Sequence, residues 1–152
     1  MPADQPSLLD WKAPEPVRRF DAARVRAATL RDQIARGIAA ALKDADSAGI
    51  VREEIAQRMS EFLGERVSLN MLNAYASQAR EDHVISVTRL LALLHATRDQ
   101  RLAELLVEPL GWAVIDRKFL PLVELAAVRE HADELQRRAK HLRRQARHGG
   151  VL

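Results

Sequence analysis

The chain has 152 residues, a formal net charge of +3, no cysteine and only 4% aromatic side chains. That length supports one compact core plus an appended segment without staples, and the missing thiols exclude disulfides, thiolate metal sites and a cysteine nucleophile, in keeping with a reducing, cytoplasmic setting. Abundant Ala, Leu and Arg favour helix over sheet through propensity alone, so an all-α chain is expected.

In chain order, residues 1–20 read as an extended arm, because four prolines before residue 17 remove amide donors and bias their neighbours away from helix. Trp11 is the exception there, an indole whose exposure would be awkward, so it is expected to dock on the body or on another subunit. The arm has no apolar signal-type stretch, and no apolar run approaches the roughly 20 residues that span a bilayer, so no membrane partner is expected.

Asp21 is placed to cap a long helix with Leu30, Ile34, Ile38 and Leu42 on its buried stripe, ending near Ser47 to Gly49. A second helix is predicted from about Val51, with Glu53 and Glu54 in the first turn, where the helix dipole favours anions. Its expected inward face is Ile55, Met59, Phe62 and Leu63. Gly64 supplies a left-handed stop and Ser68 a side-chain oxygen for the free amides of the next helix, predicted over 68–80. Ser86 can cap a fourth helix with Val87, Leu90, Leu91 and Leu94 inward, and Leu102, Leu105 and Leu106 mark a short fifth before Pro109 and Gly111. These helices form the body, 21–111.

Residues 112–152 are read as a connection followed by a basic helix. WAVID, Trp112 to Asp116, is too isolated to pair as a strand and is taken as a connection or an intersubunit edge. Beyond Leu120, Val128, Leu135 and Leu142 recur every seven residues, while Leu125, Ala132, Ala139 and Ala146 occupy the other seam position of a heptad helix. Such a helix either dimerises or packs on its own domain. Its end carries Arg137, Arg138, Lys140, Arg143, Arg144 and Arg147 with no acid among them, and Arg18, Arg19, Arg24, Arg26 and Arg31 form a looser cluster. Both runs suit a solvated face or phosphate contact.

Catalytic signatures are missing. The sequence has no glycine-rich phosphate loop, no nucleophile elbow and no HExxH, and its histidines lack i+3 or i+4 partners. His95 is expected to be a core or half-buried histidine and not a ligand. No cofactor, metal or small-molecule substrate is expected, and no enzymatic activity.

The segment from Ser68 is more informative. At 100° per residue, Leu72, Tyr75, Ala76 and Ala79 share one side, and Asn70, Asn73, Ser77 and Arg80 another. Asparagine is a mediocre helix former, so two in adjacent turns invite a functional reading beside the ordinary one of a solvated face. Asparagine amides pair bidentately with adenine in the major groove, serine bonds to bases or phosphates, and arginine reaches phosphate. Arg52 and Arg66 flank this edge, and acids stay off it until Glu81 and Asp82.

The stretches REEIAQRM, VSLNMLNAYASQA and ISVTRLLALLHATRD resemble the lambda-repressor-like helix-turn-helix proteins, in particular the small regulators of temperate phages and prophages. The resemblance covers roughly residues 30–111. In it Ala56 matches the small residue between the paired helices, and residues 68–80 correspond to the recognition helix. The chain departs from the family pattern in carrying Ser60 where the tight turn usually comes, with its glycine at Gly64, which implies a longer first helix or a wider turn. The resemblance implies a five-helix helix-turn-helix body with an extended N-terminal arm and a C-terminal basic heptad helix. The corresponding function is sequence-specific regulation of transcription on double-stranded DNA by a homo-oligomer, through Arg52, Arg66, Ser68, Asn70, Asn73, Ser77 and Arg80. The competing readings are a helical protein-interaction adaptor and a nonspecific nucleic-acid binder acting through the basic C-terminal helix.

Overall fold

The computed structural model describes residues 15–79 and 82–150. The arm through residue 14, with Trp11, and also Arg80 and Glu81, lie outside them. Among the described residues the chain is all-helical. It comprises α1 (Ala22–Val25), α2 (Leu30–Ser47), α3 (Arg52–Leu63), α4 (Leu69–Tyr75), α5 (Val87–Thr97), α6 (Gln100–Val107) and α7 (Leu120–His148), with short 3-10 turns at Glu108–Leu110 and Arg117–Phe119. None of these helices is long and apolar enough to cross a membrane. The chain divides into two compact units, Met1–Val114 and Ile115–Leu152.

The single long helix expected after Asp21 is broken in two. Asp21 caps only the four residues of α1, accepting from the Ala23 amide, and the backbone leaves helical geometry at Arg26. Thr29 then starts α2 by accepting from the Asp32 amide at 3.1 Å. Two capping side chains eight residues apart each satisfy free helix-end amides, so the chain gains a second cap by interrupting the first helix. Carbonyls released in the break find new donors, Gln33 Nε2 on Ala27 at 3.2 Å and Arg36 Nη1 on Arg26 at 2.6 Å. Leu30, expected inward, falls in the first turn of α2 and is exposed.

The core of the first unit is a set of large side chains from five helices. Ile38 and Leu42 of α2, Ile55 and Met59 of α3, Leu72 of α4, Leu93 of α5 and Leu102 of α6 are all at most 2% exposed. Small residues set the helix separations. Ala56, Ala92 and Ala96 are buried where α3 meets α5, and Gly37 lets α6 approach α2, since a Cβ there would come within 2.6 Å of Leu105 Cδ2. The inward face of α5 is therefore Ala92, Leu93 and Ala96, with Leu94 partly buried beside it, while Val87 and Leu91 point to solvent. Periodicity weighted by side-chain size selects the leucines, whereas close helix approach selects the alanines. Phe62, also expected inward, is 51% exposed. It stacks on the exposed His95 with ring centroids 4.4 Å apart.

One buried acid closes the unit. The Glu104 side chain is 1% exposed, and it accepts the Val114 amide at 2.7 Å and Arg19 Nε at 3.3 Å. Paired in this way, a buried carboxylate fixes the chain after Gly111, and the WAVID segment is an irregular connection. A second cluster joins α1, α2 and α6. Asp44 receives Arg24 through both terminal nitrogens, at 2.9 and 2.8 Å, and Arg101 at 2.8 Å. Arg101 also bonds Asp99 at 2.6 Å and lies over the Phe20 ring, 4.3 Å from its centroid.

The hydrogen bonds from Arg24, then those from Arg101, hold the Asp44 carboxyl at about 2, below its ordinary 3.8. A depressed carboxylate contributes stability that is fully present above 3.8 and is lost as pH falls through about 2. Asp44→Asn is expected to lower the unfolding free energy at neutral pH by about 1 kcal/mol, the scale left to a partly exposed ion-pair network after solvent screening. Urea unfolding of the two proteins at a series of pH values should show this difference shrinking across that acidic window.

Candidate nucleic-acid interface

The site is built on α3, the turn after it and α4. Gly64 ends α3 with φ +69°, a backbone conformation that glycine adopts without strain. Ser68 then opens α4 by accepting from the Met71 amide at 3.2 Å. Between them, Ser60 ties the turn together. Its hydroxyl donates to the Ala56 carbonyl at 2.7 Å and accepts the Val67 amide at 2.9 Å. Val67 itself is buried, so its amide needs this partner. The segment 64–68 is a wider connection than a tight turn at Ser60 would make.

Three contacts fix the setting of α4. Leu72 is fully enclosed, Tyr75 is buried, and the Tyr75 hydroxyl accepts from Arg89 Nη1 of α5. Arg89 also reaches Glu65 in the turn at 3.3 Å. The guanidinium is held above its usual range, chiefly by the bond to Tyr75. On the other side of α3, Arg58 spans from Glu54 to the Ala96 carbonyl near the end of α5, locking the α3–α5 pair.

This arrangement leaves Asn70 and Asn73 exposed on the outer side of α4. Ala74, adjacent to Asn70 in helical projection, is buried, so the outward edge is a narrow strip. Arg52, in the first turn of α3, donates from Nη1 to Asn73 Oδ1 at 2.6 Å. The structure thus brings two of the expected residues together and engages the asparagine oxygen before any ligand arrives. Arg66, in the turn, is exposed with no hydrogen bond or ion pair among the described residues. Ser68 is half-buried and serves as a cap.

The helix predicted over 68–80 stops at Tyr75, so Ser77 lies in the following turn and not on a helical edge. Ser77 lines a depression with Arg31, Asp32, Tyr75 and His83. Next to it, Arg36 Nε bonds Gln78 Oε1 at 3.2 Å. Arg80 lies outside the described residues. Sequence reasoning missed Ser60, Arg89, Arg36 and Gln78. Of these only Ser60 left a trace, as a serine where a tight-turn residue is expected.

Replacing Ser60 by Ala strands the buried Val67 amide and should cost about 1 to 3 kcal/mol in urea unfolding. Ser60→Thr, which retains the hydroxyl, should recover most of that loss.

No family model, curated protein or solved structure matches the chain.

Proposed function

We propose that this chain is a sequence-specific double-stranded DNA-binding protein of the helix-turn-helix kind, acting as a transcriptional regulator of the phage or prophage type. In this reading α3 and α4 form the motif, α4 enters the major groove, and α1, α2, α5 and α6 of the first unit support it. The single observation that carries it is the outward edge of α4. Asn70 and Asn73 project away from the core, with Arg52 against one of them and Arg66 in the preceding turn without a partner among the described residues. With its side chains a helix is about 10–12 Å across, which fits a major groove about 12 Å wide.

The Arg52–Asn73 bond shapes the mechanism. A bidentate contact to adenine needs the asparagine oxygen to accept from N6 and its amide to donate to N7. Arg52 takes one of that oxygen's two lone pairs, so base contact by Asn73 either shares the oxygen with the guanidinium or goes with its release toward a nearby phosphate. The bond is exposed and readily exchanged for contacts of similar strength. Asn70 makes no such bond among the described residues and is the simpler base reader. Arg66 supplies sequence-independent phosphate contact. In a homo-oligomer, two copies of α4 would meet successive major-groove faces about 34 Å apart.

Selection from random duplexes at physiological salt tests the reading. An enriched motif supports it, and retention without enrichment sinks it in favour of nonspecific binding through the basic end of α7. Given a motif, Asn70→Ala should relax one base position by about 1 to 3 kcal/mol, while Arg66→Ala should weaken all sequences alike and reduce the salt slope by about 1. Because Arg52 and Asn73 touch, their alanine variants should be non-additive by more than about 0.5 kcal/mol in a double-mutant cycle of binding.

A second reading, a protein-interaction adaptor, draws on a different observation: Phe62, Val87 and Leu91 are exposed on α3 and α5. Its DNA retention would be weak and indifferent to sequence, which the same selection would show.

A further inference from the structure

We propose that α7 pairs with α7 of a second copy of this chain in an antiparallel arrangement. The proposal deepens the homo-oligomer reading above and is independent of whether α4 enters DNA.

The helix runs for 29 residues, about 43 Å at 1.5 Å per residue, and none of its residues is buried. Its seam is nevertheless apolar throughout. Leu125, Ala132, Ala139 and Ala146 hold one heptad position and Val128, Leu135 and Leu142 the other, with Val128, Leu135 and Leu142 each more than half exposed. An apolar stripe of that length is stabilised by removal from water, and a second copy of the same stripe is self-complementary about a two-fold axis.

Two properties of the helix select the antiparallel sense. The first is side-chain size. In a parallel, in-register pair each seam residue faces its own counterpart, so Ala132, Ala139 and Ala146 would meet alanine and bury little. In an antiparallel pair the two seam positions face one another. One register then places Leu125 against Leu142, Ala132 against Leu135 and Ala139 against Val128, so that two of the three seam alanines meet branched side chains, while Ala146 falls level with Pro121.

The second property is charge. All four acids of α7, Glu124, Glu130, Asp133 and Glu134, lie in its first half, whereas its second half carries six Arg or Lys and no acid. A parallel pair sets six cations beside six cations. The antiparallel sense instead lays the acidic half of each helix along the basic half of the other, which relieves that repulsion.

Because the natural chain has no cysteine, single cysteines report the sense directly. Full-length Leu125→Cys and Leu142→Cys variants are each oxidised alone and after co-expression. The expected result is a covalent dimer at least tenfold more abundant in the co-expressed sample than in either variant alone. Self-linking of either single variant to the same extent overturns the antiparallel sense, and no linking in any sample, with a monomer by sedimentation, overturns the pairing altogether. A charge placed in the seam gives a check without cysteine. Leu135→Arg should raise the dimer dissociation constant at least tenfold, and an unchanged constant counts against the seam. A dimer with this signature that enriches no DNA motif would leave the pairing intact while removing the DNA reading.

Discussion

Burial of Leu72 is the constraint on which the functional surface depends. A seven-residue helix is too short to persist by itself in water, so both the existence and the rotation of α4 are set by what it packs against. With Leu72 enclosed and the Tyr75 hydroxyl held by Arg89, the helix has one setting. Helical projection then puts Asn73 about 100° and Asn70 about 160° from the buried leucine. Ala74, on the far side of α4 from Leu72 and outside the core cluster, is also buried, which limits the outward strip to little more than those two asparagines. Under the proposed groove-reading role, a surface this narrow depends on the stiffness of its support. That support is the Ser60 bridge on one side of the turn and the Arg89 fork on the other.

Local chemistry in this chain was legible from the sequence, and helix faces were only partly so. The caps at Ser68 and Ser86 and the left-handed Gly64 involve residues within three or four positions of one another, and each is where the sequence places it. The outward side of Asn70 and Asn73 was legible for a similar reason, since it follows from Leu72 and Tyr75 being the apolar residues nearest in sequence. Thr29 shows the limit of such reasoning. Asp21 and Thr29 are both good caps, and only the donors that arrive from Gln33 and Arg36 make the broken form the better use of both.

The misassigned residues share one cause. Phe62, Val87 and Leu91 were placed inward by size and spacing, yet α3 and α5 meet through Ala56, Ala92 and Ala96, and the larger side chains are turned out as a result. Ser77 was placed on the reading edge by extending a period that the backbone abandons after Tyr75. The contacts that define the site most closely were beyond any local pattern: Arg52 to Asn73 spans 21 residues and Arg89 to Tyr75 spans 14. Long arginine side chains reach partners that no periodicity encodes.

Those arginine contacts also bear on how the charge can be used. Among the described residues, six arginines of the first unit are committed to carboxylates: Arg19 to Glu104 and Glu108, Arg24 and Arg101 to Asp44, Arg31 to Asp32, Arg58 to Glu54, and Arg89 to Glu65. A guanidinium already neutralised by a carboxylate releases few counterions from DNA, so the count of basic residues overstates the electrostatic drive of that unit. Arg66 and, once exchanged from Asn73, Arg52 remain as cations beside the α4 edge. Affinity built on so few phosphate contacts would be modest for one copy, and specific binding would then lean on presenting two copies together. The separation of acidic and basic halves along α7 therefore bears on the same problem as the asparagines of α4. If the acids of one copy cover the cations of the other, the basic tail serves assembly, and discrimination between DNA sequences is left to the short helix that Leu72 holds in place.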